Sequence, residues 1–383
     1  MSAVLKLVQA QQFHEQLEVG SDSTARATHS LQAAFQYASP WQPTLARYII
    51  ERFSKKGNLV LDPMCATGTV GVESTLLNRS FIGCAQDHSL VRLARARLFP
   101  ADLAEVALRL QFVNFKKPVD IRGYQDPFPH FFDADTFREL VNLKSSIRGS
   151  DDVAGGFINF IVASILHGHT TSHLSAYTSP SAALSAEAQS SLNRKRSEVP
   201  SYRAVAARVL KKAALLLRDG VPSVLQDPRN RREVFHAEPN SMHGVSTGAI
   251  DLALVALNQP GMFQHGLQSW LRTWWLGVDI PAENRENGEP SSWRGYANEV
   301  LVEMARVIRP GGRAVLRTGQ GRLGSKSVKY RAEVEQIVTE CLPKFWRIEG
   351  SISERYVDSS TSSSARLQRT PSSVGEILVL RRA

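Results

Sequence analysis

"NLVLDPMCATGTVGVES", residues 58–74, decides how the chain is read. Asn58–Leu61 is an apolar run of strand type, and Val70–Leu77 carries helical spacing. Between them lie Asp62-Pro63 and a run of small residues with one glycine, Gly68. In an α/β sheet, ligands bind at the carboxyl ends of strands, and the first strand-to-helix turn is the usual place. Small residues there let the backbone approach a ligand, and the helix N-terminus behind them favours negative groups. A dinucleotide site would carry G-x-G-x-x-G. An acid that opens the turn suits a ligand bearing a cationic amine instead.

Working outward, "PTLARYIIERF" (43–53) predicts a helix with proline at its start. "SFIGC" (80–84) reads as a second strand and Val91–Leu98 as a second helix. Strand, turn, helix, strand, helix is the opening of a doubly wound α/β unit. The alternation stops near Phe115. Residues 116–230 read as helices and loops, with a long Ser/Ala-rich loop over 172–201. Strand patterns return at 232–237 and 250–257. A helix over 296–308 stops at Pro310-Gly311-Gly312, and "RAVLRTG" follows as a strand. "FWRIEGSIS" and "GEILVLRRA" are two further strands that could form a hairpin. The expected organisation is an N-terminal arm with a short amphipathic helix (1–27), a catalytic α/β domain (28–115 and 231–383) and a helical, substrate-facing insert (116–230).

The 383 residues are 43% hydrophobic and 21% charged, ordinary for a globular protein. The longest nearly unbroken apolar run, 157–166, is too short to span a bilayer. The N-terminus has no signal-peptide pattern. Three scattered cysteines, Cys65, Cys84 and Cys341, make neither a disulfide framework nor a zinc site, so a cytoplasmic location is expected. Net charge is +10. Residues 194–232 hold eleven Lys/Arg against Glu198, Asp219 and Asp227, a net +8. Such a patch is either a footprint for nucleic acid or a solvated basic face.

"LDPMCATGTVGVES" resembles the D-P-F-C-G-S-G-T turn of the DNA amino-methyltransferases, which act on adenine or cytosine. Asp62, Pro63, Cys65, Gly68 and Thr69 match, Met64 and Thr67 are conservative, and Ala66 replaces a glycine. Upstream, "HSLQAAFQYASPWQPTLA" is similar to the family's H-x-Y-P-A-x-F-x-P-x-L-A segment, which places His29 and Phe35 beside the cofactor's methionine end. Downstream, "FIGCAQDHSLVRLA" resembles F-I-G-x-D-x-N-P. The usual ribose-binding acid falls on Ala85, and Asp87 stands two residues later. "EVFHAEPNS" is similar to the segment whose acid meets the adenine amino group, here Glu238. "ILHGHTTSHLSAYTSP", with Tyr177, resembles a segment of a subset of these enzymes. The resemblance implies a Rossmann-like methyltransferase fold interrupted by a helical insert, with S-adenosylmethionine as cofactor.

The family's acceptor motif, [DNS]-P-P-[YFW], has its best match in Asn258-Gln259-Pro260-Gly261. Asn258 keeps the hydrogen-bond acceptor for the target amine and Pro260 keeps one proline. Gln259 and Gly261 replace the other proline and the aromatic that stacks on a flipped base. Phe263 could stack from a different spacing, and Trp274 in "SWLRTWWLG" is either packing or part of an acceptor pocket. The resemblance thus implies methyl transfer to an exocyclic amine of a nucleic-acid base. The altered motif leaves open a small heteroaromatic or peptide nitrogen, or a non-catalytic DNA-binding subunit. His167, His169 and His173 fit no standard zinc spacing, so no metal is expected. Cys65 has no His/Asn partner that would make it a nucleophile.

Overall fold

The computed structural model describes residues 12–20, 29–35, 41–120, 123–148, 152–179, 183–257, 270–277, 290–318, 320–323, 326–357 and 376–383. The strands are β1 (Phe13–Gly20), β2 (Leu59–Asp62), β3 (Ser80–Ala85), β4 (Arg232–His236), β5 (Ile250–Leu257), β6 (Ile308–Thr318), β7 (Gln320–Leu323), β8 (Lys326–Lys329), β9 (Trp346–Val357) and β10 (Glu376–Arg382). The helices are α1 (Pro43–Phe53), α2 (Thr69–Leu76), α3 (His88–Leu98), α4 (Leu103–Gln111), α5 (Ala134–Ile147), α6 (Val153–Ile165), α7 (Ala186–Arg196), α8 (Val205–Leu216), α9 (Ser223–Gln226), α10 (Trp270–Leu276), α11 (Pro290–Val307) and α12 (Tyr330–Gln336). Two short 3-10 turns, Ser30–Ala33 and Phe128–His130, join them.

One eight-stranded sheet runs in the order β4-β3-β2-β5-β6-β10-β9-β1. β10 is antiparallel to both neighbours, and every other pairing is parallel. The chain steps outward from β2 through β3 to β4, returns to β5 on the other side of β2, and continues to β6. This reversal between β2 and β5 is the switch point of a Rossmann-like sheet, where ligands bind. β9 and β10 form the antiparallel pair that the C-terminal sequence suggests.

The central strands are apolar on both sides because both sheet faces are covered. Val60 and Leu61 are fully buried in two different cores. Val60 packs with Leu45 and Ile49 of α1, Val70 of α2 and Leu252 of β5. Leu61 packs with Ile82, Val255 and α11 residues Val300, Leu301 and Met304. A third core, with Leu140, Phe157, Phe160, Ile161, Val205 and Val209, ties the helices after α3 to Leu93 of α3 and Leu31.

Three sequence expectations need correction. Phe13–Gly20 is a strand, not part of a helical arm, and pairs in parallel with β9. The Ser/Ala-rich stretch over 172–201 is interrupted by α7, which Ser185 caps by accepting the Ala188 N–H. Pro310-Gly311-Gly312 lies within β6, not before it. The region between Phe115 and β4 holds α5 to α9 as its regular elements among the described residues. No described helix is long and apolar enough to cross a membrane.

Candidate active site

β2 delivers Asp62 to the carboxyl edge of the sheet beside the switch point. Its side chain is only 4% exposed. Oδ1 accepts the Met64 N–H at 3.1 Å, which tightens the turn. Burial pushes the carboxyl up to about 7. Among the described residues no cation forms an ion pair with it, so this buried acid is short of a positive partner.

The rest of the turn is held from below. The buried Cys65 donates its backbone N–H to the Cys84 carbonyl of β3 at 2.8 Å. Burial raises its thiol well above the usual range, which suits a space-filling side chain and not a nucleophile. Pro63 is buried beside it. Gly68 caps α2 with φ 78°, a left-handed conformation that favours glycine. A Cβ there would lie 3.4 Å from the Ala94 carbonyl of α3, so the turn and α3 are in close contact.

Sequence reasoning missed the residue that organises this turn, Arg97. It stands on α3, is 2% exposed, and donates to the Thr67 carbonyl (3.0 Å), Thr67 Oγ1 (3.3 Å), Thr69 Oγ1 (3.1 Å) and the Leu31 carbonyl (3.1 Å). It also bonds Gln32 Oε1. Gln32 in turn donates to the Thr69 carbonyl (3.1 Å) and to Glu73 Oε1 (2.8 Å). Glu73 is fully buried and meets Arg47 at 3.3 Å. Burial raises its carboxyl, while Gln32 and Arg47 oppose the shift. This network seats the 29–35 segment on the turn.

Within that segment His29 caps the 3-10 turn, its Nδ1 accepting the Leu31 N–H at 3.2 Å. That bond assigns the ring proton to Nε2. Nε2 is buried and makes no hydrogen bond among the described residues. Burial lowers the His29 pKa, with Asp219 opposing, which keeps the ring neutral. Phe35 packs edge-on against Phe160 of α6 at 5.4 Å, beside the third core.

The neighbouring strand ends supply further polar groups. Asp87 caps α3 by accepting the Ser89 N–H at 2.6 Å, leaving its second oxygen out of that bond. Glu238 is exposed just beyond β4 and bonds the Gln86 amide. Together with burial, Glu238 and Glu299 push the Tyr296 phenol up. His88 and His236 stack at 4.3 Å beside them. The register Asp62↔Gly83 and Ala85↔His236 brings Asp62, Gln86, Asp87 and Glu238 to one edge of the sheet.

Asn258, Pro260 and Phe263 lie outside the described residues. β5 ends at Leu257, one strand from Asp62. Trp274 is packed, stacking on Phe137 at 5.7 Å, touching Phe128 at 4.9 Å, with Lys144 over its ring at 4.8 Å. Tyr177 lies under the Arg196 guanidinium at 3.7 Å, and its backbone is fixed by Gln189 and Glu198. These positions put both rings in the helical region. His167 and His173 are buried, and burial pulls both pKa values down, that of His173 to about 4. Among the described residues no group of three His, Cys, Asp or Glu could hold a metal.

The basic window does not form one open face. Arg203 is buried and holds the His173 and Ser175 carbonyls. Arg196, Arg218, Arg229 and Arg231 pair with Glu198, Asp219, Asp227 and Glu233. Lys212 donates to the Ala33 carbonyl.

Residues 16–96 match the family model described as "DNA methylase". Over these residues the chain is similar to DNA methylases. The matched segment runs from β1 through the Asp62 turn into α3, and so contains Asp62, Gly68, Asp87 and most of the network around them, with Arg97 directly after its end. No curated protein matches the chain. Among solved structures, a geranyl diphosphate methyltransferase is similar at 8% identity over 89% of this chain and 79% of its own, TM-score 0.37. A SAM-dependent methyltransferase from Methanosarcina mazei is similar at 9% identity over 87% and 96%, TM-score 0.34. An rRNA methylase from Streptococcus thermophilus is similar at 6% identity over 91% and 98%, TM-score 0.34. Likeness this low bears on neither acceptor nor chemistry, and the fold assignment rests on the strand order of the sheet itself.

Proposed function

We propose that the protein is an S-adenosylmethionine-dependent N-methyltransferase acting on an exocyclic amine of a nucleic-acid base. The observation that supports this most is the coincidence of the segment similar to DNA methylases with a turn that opens on Asp62, buried and without an ion-pair partner among the described residues. The residues fit the cofactor. Asp62 offers a carboxylate to its amine, and His29 Nε2–H offers a donor to its carboxylate. Asp87 and Glu238, at the same edge of the sheet, would accept hydrogen bonds from the ribose hydroxyls and the adenine amino group. S-adenosylmethionine would supply a methyl group on a sulfonium. Asn258 would accept a hydrogen bond from the acceptor amine and leave the nitrogen lone pair directed at that methyl. Closeness and alignment would contribute most of the rate enhancement.

The replacement of the stacking aromatic by Gly261 favours a second reading, with a small heteroaromatic or peptide nitrogen as acceptor. A stacked base is worth about 1–3 kcal/mol, which this motif forgoes. Incubation with tritiated S-adenosylmethionine and, separately, DNA, RNA, nucleosides and a peptide library separates the two. Label in the nucleic acid supports the first reading. Label only in nucleosides or peptides supports the second. Nucleic-acid binding with no transfer to any acceptor points to a non-catalytic subunit.

A further inference from the structure

We propose that the protein carries a second binding site, separate from the Asp62 turn, for the phosphate of a nucleotide-sized ester. A cavity of about 590 Å3 lies between α3, α5, the start of α6 and the end of α10. That volume is in the range of small-molecule sites, about 300–1,000 Å3. Four cations line it: Arg92 and Arg95 from α3, Lys144 from α5, and Arg148 directly after α5. Its one acid, Asp152, is already engaged, capping α6 through the Gly155 N–H and meeting Arg109 at 3.3 Å.

The cations are poorly compensated. The guanidinium groups of Arg92 and Arg148 make no hydrogen bond or ion pair among the described residues. Arg95 acts on Glu233, but that carboxylate is bonded to Arg231 at 2.8 Å. Lys144 bonds the Trp274 carbonyl, and its pKa is lowered by burial and then by Arg148. Like charges are therefore crowded into one concave space, where a bound anion relieves the repulsion. Of the apolar lining, Trp275 and Ile147 are buried behind the wall, and Phe99, 39% exposed, is the side chain a sugar or base would meet.

The cavity is not an extension of the cofactor site. Val91, Ala94 and Leu98 turn one side of α3 to the sheet core and the Gly68 turn. Arg92, Arg95 and Phe99 lie on another side of the same helix. None of the candidate cofactor residues lines the cavity. The assignment therefore does not depend on the methyl-transfer reading.

The phosphate ester could be a free mononucleotide or one unit of a single strand, and the test separates them. The full-length protein is titrated with inorganic phosphate and adenosine monophosphate by calorimetry, and with a fluorescein-labelled single-stranded DNA by anisotropy. The variant is Arg92→Ala/Arg95→Ala/Arg148→Ala, three exposed positions, and the control is Lys195→Ala/Lys211→Ala, also exposed. The triple variant should bind about tenfold or more weakly while the control stays within about twofold, and the salt slope for the strand should fall by about two. Loss of mononucleotide binding identifies a free ester, and loss of strand binding alone identifies a polymer. Equal binding by the wild type and the triple variant overturns the proposal. So does failure of all three probes to bind the wild type.

Discussion

Arg97 Nη1 donates to both oxygens of Thr67, the carbonyl at 3.0 Å and Oγ1 at 3.3 Å, so one buried guanidinium on α3 fixes the turn after Asp62. The turn's shape therefore depends on a residue outside its own sequence. Replacing Arg97 by Met strands the oxygens of Thr67, Thr69 and Gln32 in a buried space. The expected loss is about 3 kcal/mol, the upper end of the cost of leaving buried acceptors without a donor. Arg97→Lys should recover only part of it, because an ammonium cannot reproduce the planar fork. Urea unfolding of both variants measures the difference.

Asp62 makes stability depend on pH. Its folded pKa, about 7, lies above the ordinary 3.8. The folded state therefore holds a proton that the unfolded state releases between these values. Stability from this group is full below pH about 4 and is lost as pH rises through about 7, by up to roughly 4 kcal/mol. Asp62→Asn should flatten that slope. Cofactor-free unfolding midpoints from pH 4 to pH 8, compared between wild type and variant, provide the check.

Two glycines near the turn should respond differently. A Cβ on Gly71 would stand 2.6 Å from Phe81 Cε1 and 2.9 Å from Leu98 Cδ2. Gly71→Ala should overpack the α2–sheet contact and cost about 1–3 kcal/mol. Gly68→Ala meets only van der Waals contact at Ala94, so its cost is the left-handed backbone, about 1 kcal/mol. Thermal unfolding of the two variants should rank Gly71→Ala as the more damaging. The reverse order would mean that backbone conformation, and not packing, dominates here.

If Asn258 accepts a hydrogen bond from the methyl acceptor, Asn258→Ala should lower kcat on the order of a hundredfold. Affinity for S-adenosylhomocysteine should stay nearly constant, because the lost bond is made to the acceptor and not to the cofactor. Steady-state kinetics beside a binding titration separate the two effects. Unchanged turnover would place the acceptor elsewhere.

The strand-turn-helix over 58–74 was legible because its signals are local. A buried strand, an acid, one glycine and a helical pattern follow each other within a few residues. β1 was obscured by Glu15. The strand places Phe13, Glu15 and Leu17 on its less exposed side, and Glu15 breaks the apolar alternation because it bonds Tyr48 and Arg52 of α1. α4 did carry a readable signal. Asp102 and Glu105 form a capping box ahead of an apolar run, and the start of a helix could have been assigned from it. Arg97 could not be read from sequence. It sits among Arg92 and Arg95, two exposed arginines of the same helix, and only tertiary packing distinguishes the buried one. Phe35 likewise matches a family segment, yet its ring is captured by Phe160, a residue far along the chain.

Whether the Asp62 turn holds S-adenosylmethionine is tested most directly by calorimetric titration of S-adenosylhomocysteine into the wild type and into Asp62→Ala. Saturable binding to the wild type is expected, with affinity lower by about tenfold or more in the variant, because the cofactor's ammonium loses its buried carboxylate partner. Absence of binding to the folded wild type, or equal affinity in the two proteins, would contradict it.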